Sequence, residues 1–215
     1  MNEHWRYFRA LEDDLQSCER YVHFSEENFG TYSTEFARIL LAAASEFDTV
    51  AKRLCREIEP DGEIHSSIGR YRDVIMSKYP RFPEVEIHIP RYQLTVAPWS
   101  SWKTNQPVFK PWTDWSSHSP EWWNCYNAVK HERNKDFDRA TLKASLCSLA
   151  GLLVGLMYWF HEARIDIASG QAPELYEPES YDIVKGPDKY WNYSLPGGGR
   201  RRTDRIAGRV SDPEG

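Results

Sequence analysis

The feature that most constrains this fold is a run of 17 residues, Ala144–Phe160, without one charged side chain. A helix that is apolar on every side either fills the core of a protein or spans a membrane. The run is at the lower edge of a bilayer span, and Gly151 and Gly155 have the spacing of close helix contacts in membranes. However, Lys143 limits the length of the run, and Ser148 makes it less apolar. The sequence contains no second run of this kind. We therefore interpret it as the central helix of an all-α domain, with a membrane anchor as the alternative.

The sequence before this run predicts helices that could surround it. Apolar residues recur at helical spacing from about residue 3 to 22, up to about residue 58 after a cap at Ser33 or Thr31, and from about residue 64 to 78. The central helix is expected to run from about Phe137 to Ile167 after a short break. The predicted fold class is mainly α, a helical bundle with a long central apolar helix.

The middle of the chain, residues 79–119, differs because its prolines forbid a long helix. Alternating apolar residues at Val85–Ile89 and Gln93–Val96 predict a short β-hairpin within this aromatic and proline-rich insertion. Four tryptophans follow, at positions 99, 102, 112 and 115. They could clamp the insertion onto the helices, or they could stack against the bases of a single strand. The scarcity of interleaved cations favours the clamp.

The domain organisation follows from these patterns. Residues 1–168 are expected to form one helical domain, and residues 169–215 a largely flexible tail because they carry too few apolar side chains to offset their ordering entropy. An arginine cluster at residues 200–209 gives the tail a local positive charge. It could bind nucleic acid weakly, or it could simply be solvated.

Composition limits the class of protein. The net charge of −5 gives no global basic field for nucleic acid. The four cysteines form no CxxC pair, and the histidines show no metal-ligand spacing, so no metal or other cofactor is expected. Reduced cysteines and a charged start without a secretion signal favour a cytoplasmic protein that is not in a membrane.

A polar group follows the Trp-Trp pair in the segment Pro120–Arg133. At 3.6 residues per turn, Asn127, Lys130 and His131 share one side of a helix, and Arg133 lies on an adjacent stripe. This group combines an amide, an ammonium, an imidazole and a guanidinium, which together suit a phosphate or another anion. The imidazole titrates near neutrality. Ser119 is the expected N-cap of this helix.

Carboxylates on the second helix are the expected partners of this group. We expect Glu46 or Asp48 to face Lys130, His131 or Arg133, because a buried cation without a partner is costly. A carboxylate in that place would orient the imidazole. The alternative is an ionic network that only fixes the register of the two helices.

The chain resembles uncharacterised bacterial proteins related to the HEPN superfamily. The resemblance rests on the segment Thr31–Leu41, on Asn127-x-x-Lys130-His131-x-Arg133, and on an apolar final helix. HEPN domains are helical bundles, usually homodimers, and many are metal-independent ribonucleases in toxin–antitoxin and phage-defence systems. Their signature is an arginine followed four to six residues later by a histidine, whereas here His131 precedes Arg133.

The resemblance implies cleavage of RNA by attack of its own 2′-hydroxyl on the adjacent phosphate. His131 would be the general base or acid, Lys130 and Arg133 would stabilise the charge on the phosphate, and Asn127 would position it. Glu46 or Asp48 would orient His131. The implied partners are RNA, a protein such as an antitoxin, and a second copy of the chain. The competing hypothesis is a non-catalytic helical interaction module whose polar helix pair is structural.

Overall fold

The computed structural model describes residues 2–63, 67–89, 108–165, 172–178, 184–185 and 191–192. Within these ranges the helices are α1 (Glu3–Cys18), α2 (Thr34–Ile58), α3 (Ile68–Lys78), α4 (Glu121–His131), α5 (Arg133–Asp136) and α6 (Leu142–Glu162). The strands are β1 (Ile87–His88), β2 (Val108–Phe109), β3 (Glu177–Pro178), β4 (Val184–Lys185) and β5 (Trp191–Asn192). The protein is therefore mainly α, as predicted.

The apolar helix α6 lies at the centre of this bundle and packs most extensively along α2. It is the one helix of the described residues that is long and apolar enough to cross a membrane, and 89% of its 18-residue apolar window is buried inside the protein. This burial is what the core helix of a soluble protein requires. The interpretation of the uncharged run as a core helix is confirmed.

Side-chain caps set where the two longest helices begin. The Ser33 hydroxyl accepts a hydrogen bond from the N–H of Phe36 at 3.0 Å, so of the two expected caps, Ser33 and Thr31, it is Ser33 that starts α2. The Thr141 hydroxyl accepts from the N–H of Ala144 at 3.1 Å, so α6 begins at Leu142 rather than at Phe137. The residues between α5 and this cap form a short 3₁₀ turn, Phe137–Arg139.

Two tryptophans of the insertion belong to the core. Trp112 and Trp115 are buried, with their rings 4.4 Å apart, and Trp112 lies 4.5 Å from the ring of Phe47 on α2. Phe82 contacts both indoles. The clamp is therefore confirmed for these two side chains, while Trp99 and Trp102 lie outside the described residues.

A small antiparallel sheet forms where the insertion begins and ends. Its strand order is β2-β1-β3, with Ile87 opposite Phe109 on one side and Pro178 on the other. The strand-like run at 85–89 thus has neighbours from two distant parts of the chain. The hairpin partner expected at residues 93–96 lies outside the described residues.

Residues 172–178, which we name the C-terminal strap, pack against α1 and α6. Leu175 is fully buried, and the Tyr176 hydroxyl donates to the carbonyl of Leu146 at 3.1 Å. The buried carboxylate of Glu12 accepts from the N–H groups of Glu174 at 3.0 Å and Leu175 at 2.8 Å. The expected domain boundary at residue 168 is therefore too early, because the strap belongs to the helical domain.

Candidate functional site

The Trp-Trp helix, α4, is fixed at its start by packing rather than by a side-chain cap. It begins at Glu121 with Pro120 in the cap position, so the expected capping role of Ser119 is wrong. The Trp122 indole donates to the carbonyl of Pro111 at 2.8 Å and lies edge-on, at 5.9 Å, to the ring of Phe47. This contact holds the helix against the core, and its opposite end extends toward solvent.

That opposite end carries the predicted polar group. Lys130 and His131 are exposed in the last turn of α4, Arg133 is exposed at the start of α5, and Asn127 is half-buried one turn earlier. Lys130 Nζ donates to the Tyr126 hydroxyl at 3.1 Å and lies 5.2 Å from the centre of that ring. The four side chains are therefore neighbours along one short stretch of backbone that solvent can reach.

The cations of this group have no acidic partner in the part of the chain that the structure describes. Among the described residues, no carboxylate forms an ion pair with Lys130, His131 or Arg133, whereas Arg38 and Lys78 elsewhere on the surface are paired. Positive charge in the last turn of a helix also complements the negative end of its dipole. The arrangement can bind a phosphate without first breaking an ion pair.

The carboxylates expected to orient His131 have other partners. Glu46 is hydrogen-bonded to His4 on α1, and Asp48 accepts from the Tyr71 hydroxyl on α3 at 2.7 Å. Asp48 also pairs with Lys52 one turn along α2. Because these two carboxylates form hydrogen bonds to side chains on α1 and α3, the structure does not bring them to the polar end of α4.

A carboxylate does orient another imidazole, that of His4, which the sequence interpretation missed. Its Nδ1 is hydrogen-bonded to Glu46, its ring lies edge-on to Trp159 at 5.1 Å, and it is only 7% exposed. This pair joins α1 to α2, and its imidazole is buried while the Glu46 side chain is 16% exposed. The available signal was spacing, because His4 falls on the same helical stripe as Phe8 and Leu11.

A cavity of about 560 Å³ opens at the other end of α4. Its walls come from four separated parts of the chain: the region of Glu26 and Phe29, the turn after β2, the first turns of α4, and the residues from Arg139 to Cys147. None of Asn127, Lys130, His131 or Arg133 lines it. The cavity is therefore a second feature, separate from the polar end of α4.

The four cysteines are free, as the sequence predicted, and burial governs their chemistry. Desolvation raises the pKa of Cys18 to about 11 and those of Cys55 and Cys147 to about 12, and it also raises the pKa of Cys125. At neutral pH they are thiols rather than thiolates and are poor nucleophiles. In the part of the chain that the structure describes, no group of three or more His, Cys, Asp and Glu is placed to hold a metal ion.

No protein-family model matches this chain, and neither does any curated protein or any solved structure. The relationship to HEPN proteins thus remains a prediction that rests on the segment Thr31–Leu41, on Asn127, Lys130, His131 and Arg133, and on the apolar final helix. The site must be judged on its own geometry.

Proposed function

We propose that the protein binds RNA at the polar end of α4 and cleaves it without a metal ion, in the manner of a HEPN-like endoribonuclease. The observation that carries this proposal is the exposed group of Lys130, His131 and Arg133, which no described carboxylate neutralises. Unpaired cations next to an accessible imidazole supply the two requirements of the reaction, which are phosphate binding and proton transfer near neutral pH.

Each side chain has a definite role in this proposal. A general base removes the proton of the RNA 2′-hydroxyl, whose oxygen attacks the adjacent phosphorus. A general acid protonates the departing 5′-oxygen, leaving a 2′,3′-cyclic phosphate and a 5′-hydroxyl. His131 takes one of these roles, Lys130 and Arg133 stabilise the charge on the phosphate, and Asn127 positions it.

A homodimer fits this scheme because one imidazole cannot be base and acid in the same step. The same histidine of a second copy would take the other role if the polar ends of the two α4 helices face each other. We place the protein in the cytoplasm, with an antitoxin-like protein as its inhibitor in a toxin–antitoxin or phage-defence system.

The first test is His131→Ala, assayed for RNA cleavage in the presence of EDTA. We expect cleavage to fall at least about a hundredfold, the typical contribution of a general acid or base, while the helical circular dichroism stays unchanged. His23→Ala removes another exposed histidine and should cleave like the wild type. Equal cleavage by the wild type and His131→Ala would disprove the role of His131.

The second candidate function is a non-catalytic helical interaction module. It is favoured by the lack, among the described residues, of a side chain that orients His131, and by the fit of Lys130 and His131 to the negative end of the α4 dipole. Size-exclusion chromatography with and without a co-encoded neighbouring protein distinguishes the two functions. Complex formation by a wild-type protein that cleaves no RNA would support the interaction module.

A further inference from the structure

The cavity at the start of α4 has an apolar floor. Phe109, Pro111, Trp122 and Ala144 line it and are themselves almost fully buried, so their contribution is a fixed wall rather than a mobile surface. Trp122 is further held by its hydrogen bond to the carbonyl of Pro111. At about 560 Å³ the cavity falls within the size range of small-molecule sites, which are mostly apolar with a few polar groups.

Three cations line the cavity, and they differ in how they are neutralised. Lys110 pairs with Glu86 at 2.5 Å, and Lys143 lies 3.5 Å from Glu121. Arg139 has no carboxylate partner among the described residues, and its positive charge offsets part of the rise that burial causes in the pKa of the Cys125 thiol. Of the three cations, Arg139 is thus the one that no described carboxylate neutralises.

The acidic side chains of the cavity leave Arg139 available. Glu26, Asp114 and Glu121 also line it, all three are exposed, and Glu121 is the one that lies near Lys143. A guanidinium presents a planar set of donors that matches a carboxylate or a phosphate. An anion at Arg139 would bind without displacing an ion pair to any described carboxylate.

We propose that this cavity binds a small organic anion, with an aromatic body on the floor formed by Phe109 and Trp122 and a phosphate or carboxylate on Arg139. The buried floor is in place before the ligand arrives, which limits the ordering cost of that part of the site. The proposal is independent of RNA cleavage, because the residues assigned to that reaction lie outside the cavity.

The test is isothermal titration calorimetry of the full chain with two anions and their neutral counterparts. Adenosine 5′-monophosphate is compared with adenosine, and 4-hydroxybenzoate with phenol. We expect at least one anion to bind about tenfold or more tightly than its counterpart, since a hydrogen bond to a charged group is the stronger kind. Binding of adenosine 5′-monophosphate alone would indicate a phosphate ligand, and binding of 4-hydroxybenzoate alone would indicate a carboxylate ligand.

Arg139→Ala should weaken binding of that anion about tenfold or more, and Arg139→Lys should weaken it less because the charge remains. Arg56→Ala, another exposed arginine that does not line the cavity, should bind like the wild type. Thermal unfolding of each variant checks that the exposed substitution leaves the fold intact. The proposal is overturned if neither anion binds, or if Arg139→Ala binds the anion as tightly as the wild type.

A second measurement locates the ligand. The indole N–H signal of Trp122 should shift in ¹⁵N-edited spectra when the anion is added, since this side chain both lines the cavity and donates to Pro111. Trp5 lies on α1 and does not line the cavity, so its signal should stay in place. A shift of Trp5 without one of Trp122 would place the ligand elsewhere and contradict the proposal.

Discussion

Glu12 is a fully buried carboxylate that holds the C-terminal strap to α1. Burial raises its pKa above the ordinary 4.5, and the N–H groups of Leu175 and Glu174 and the charge of Arg9 offset part of that rise. The folded protein therefore holds this proton more tightly than the unfolded chain does. Its contribution to stability is full below pH 4.5 and is lost as the pH rises through the folded pKa.

Glu12→Gln tests this effect because an amide keeps the acceptor oxygen but does not titrate. We expect the wild type to lose free energy of unfolding above pH 4.5, at up to about 1.4 kcal/mol per pH unit, and the variant to lack that component. Urea unfolding between pH 4.5 and pH 8 measures the slopes. Asp13→Asn, an exposed carboxylate on the same helix, is the control and should keep the wild-type slope. If the free energy of unfolding falls with pH at the same slope for Glu12→Gln and the wild type, Glu12 is not the source of the pH dependence.

At the scale of the element, α6 depends on two glycines for its close approach to other helices. A Cβ at Gly151 would lie 2.9 Å from the Trp122 ring, and one at Gly155 would lie 2.9 Å from the ring of Phe47. Both rings are fixed in the core, so neither can yield easily. The small-residue spacing therefore serves packing inside the bundle rather than contact within a bilayer.

Gly151→Ala should thus destabilise the protein by about 1–3 kcal/mol through overpacking, although alanine is the better helix former. Gly69→Ala in α3 is the matched control, because a Cβ there meets nothing within 4 Å. It should be neutral or stabilise by up to about 1 kcal/mol. Chemical denaturation measures both variants, and a Gly151→Ala protein as stable as the Gly69→Ala protein would refute the packing argument.

Most elements could be predicted because their signals are local. The apolar spacing and the Ser33 cap placed α2, and the uncharged run placed the body of α6. The start of α6 was predicted too early, since the apolar pattern continues through Phe137 and does not show that Thr141 will cap. The partners of Glu46 and Asp48 could not be predicted, because facing a neighbour depends on how α1, α3 and α4 are arranged around α2.

At the scale of the whole molecule, the strap joins a late segment of the described chain to α1 near its beginning. Leu175 is buried in the core cluster, Tyr176 reaches α6, and β3 pairs with β1. The strap therefore covers the side of α1 that carries Glu12. Its loss would expose both apolar surface and the carboxylate of Glu12.

Leu175→Ala should lower the free energy of unfolding by about 2–5 kcal/mol, the range for a large side chain removed from a core. Glu174→Ala removes only a partly exposed ion pair with Arg9 and should cost about 1 kcal/mol or less. Equilibrium unfolding in urea compares the two neighbours. Similar small losses for both would mean that the strap contributes little to the bundle.

The sequence by itself determined the helical class, the core position of the uncharged run and the group of Asn127, Lys130, His131 and Arg133 on one short stretch. These follow from helical periodicity and from the free energy of burying apolar surface, which depend on neighbours in the chain. Only the tertiary structure decided that Glu46 meets His4, that Glu12 holds the strap, and that four distant segments enclose a cavity beside Arg139. Such contacts are set by how whole elements pack, and no local pattern contains that information.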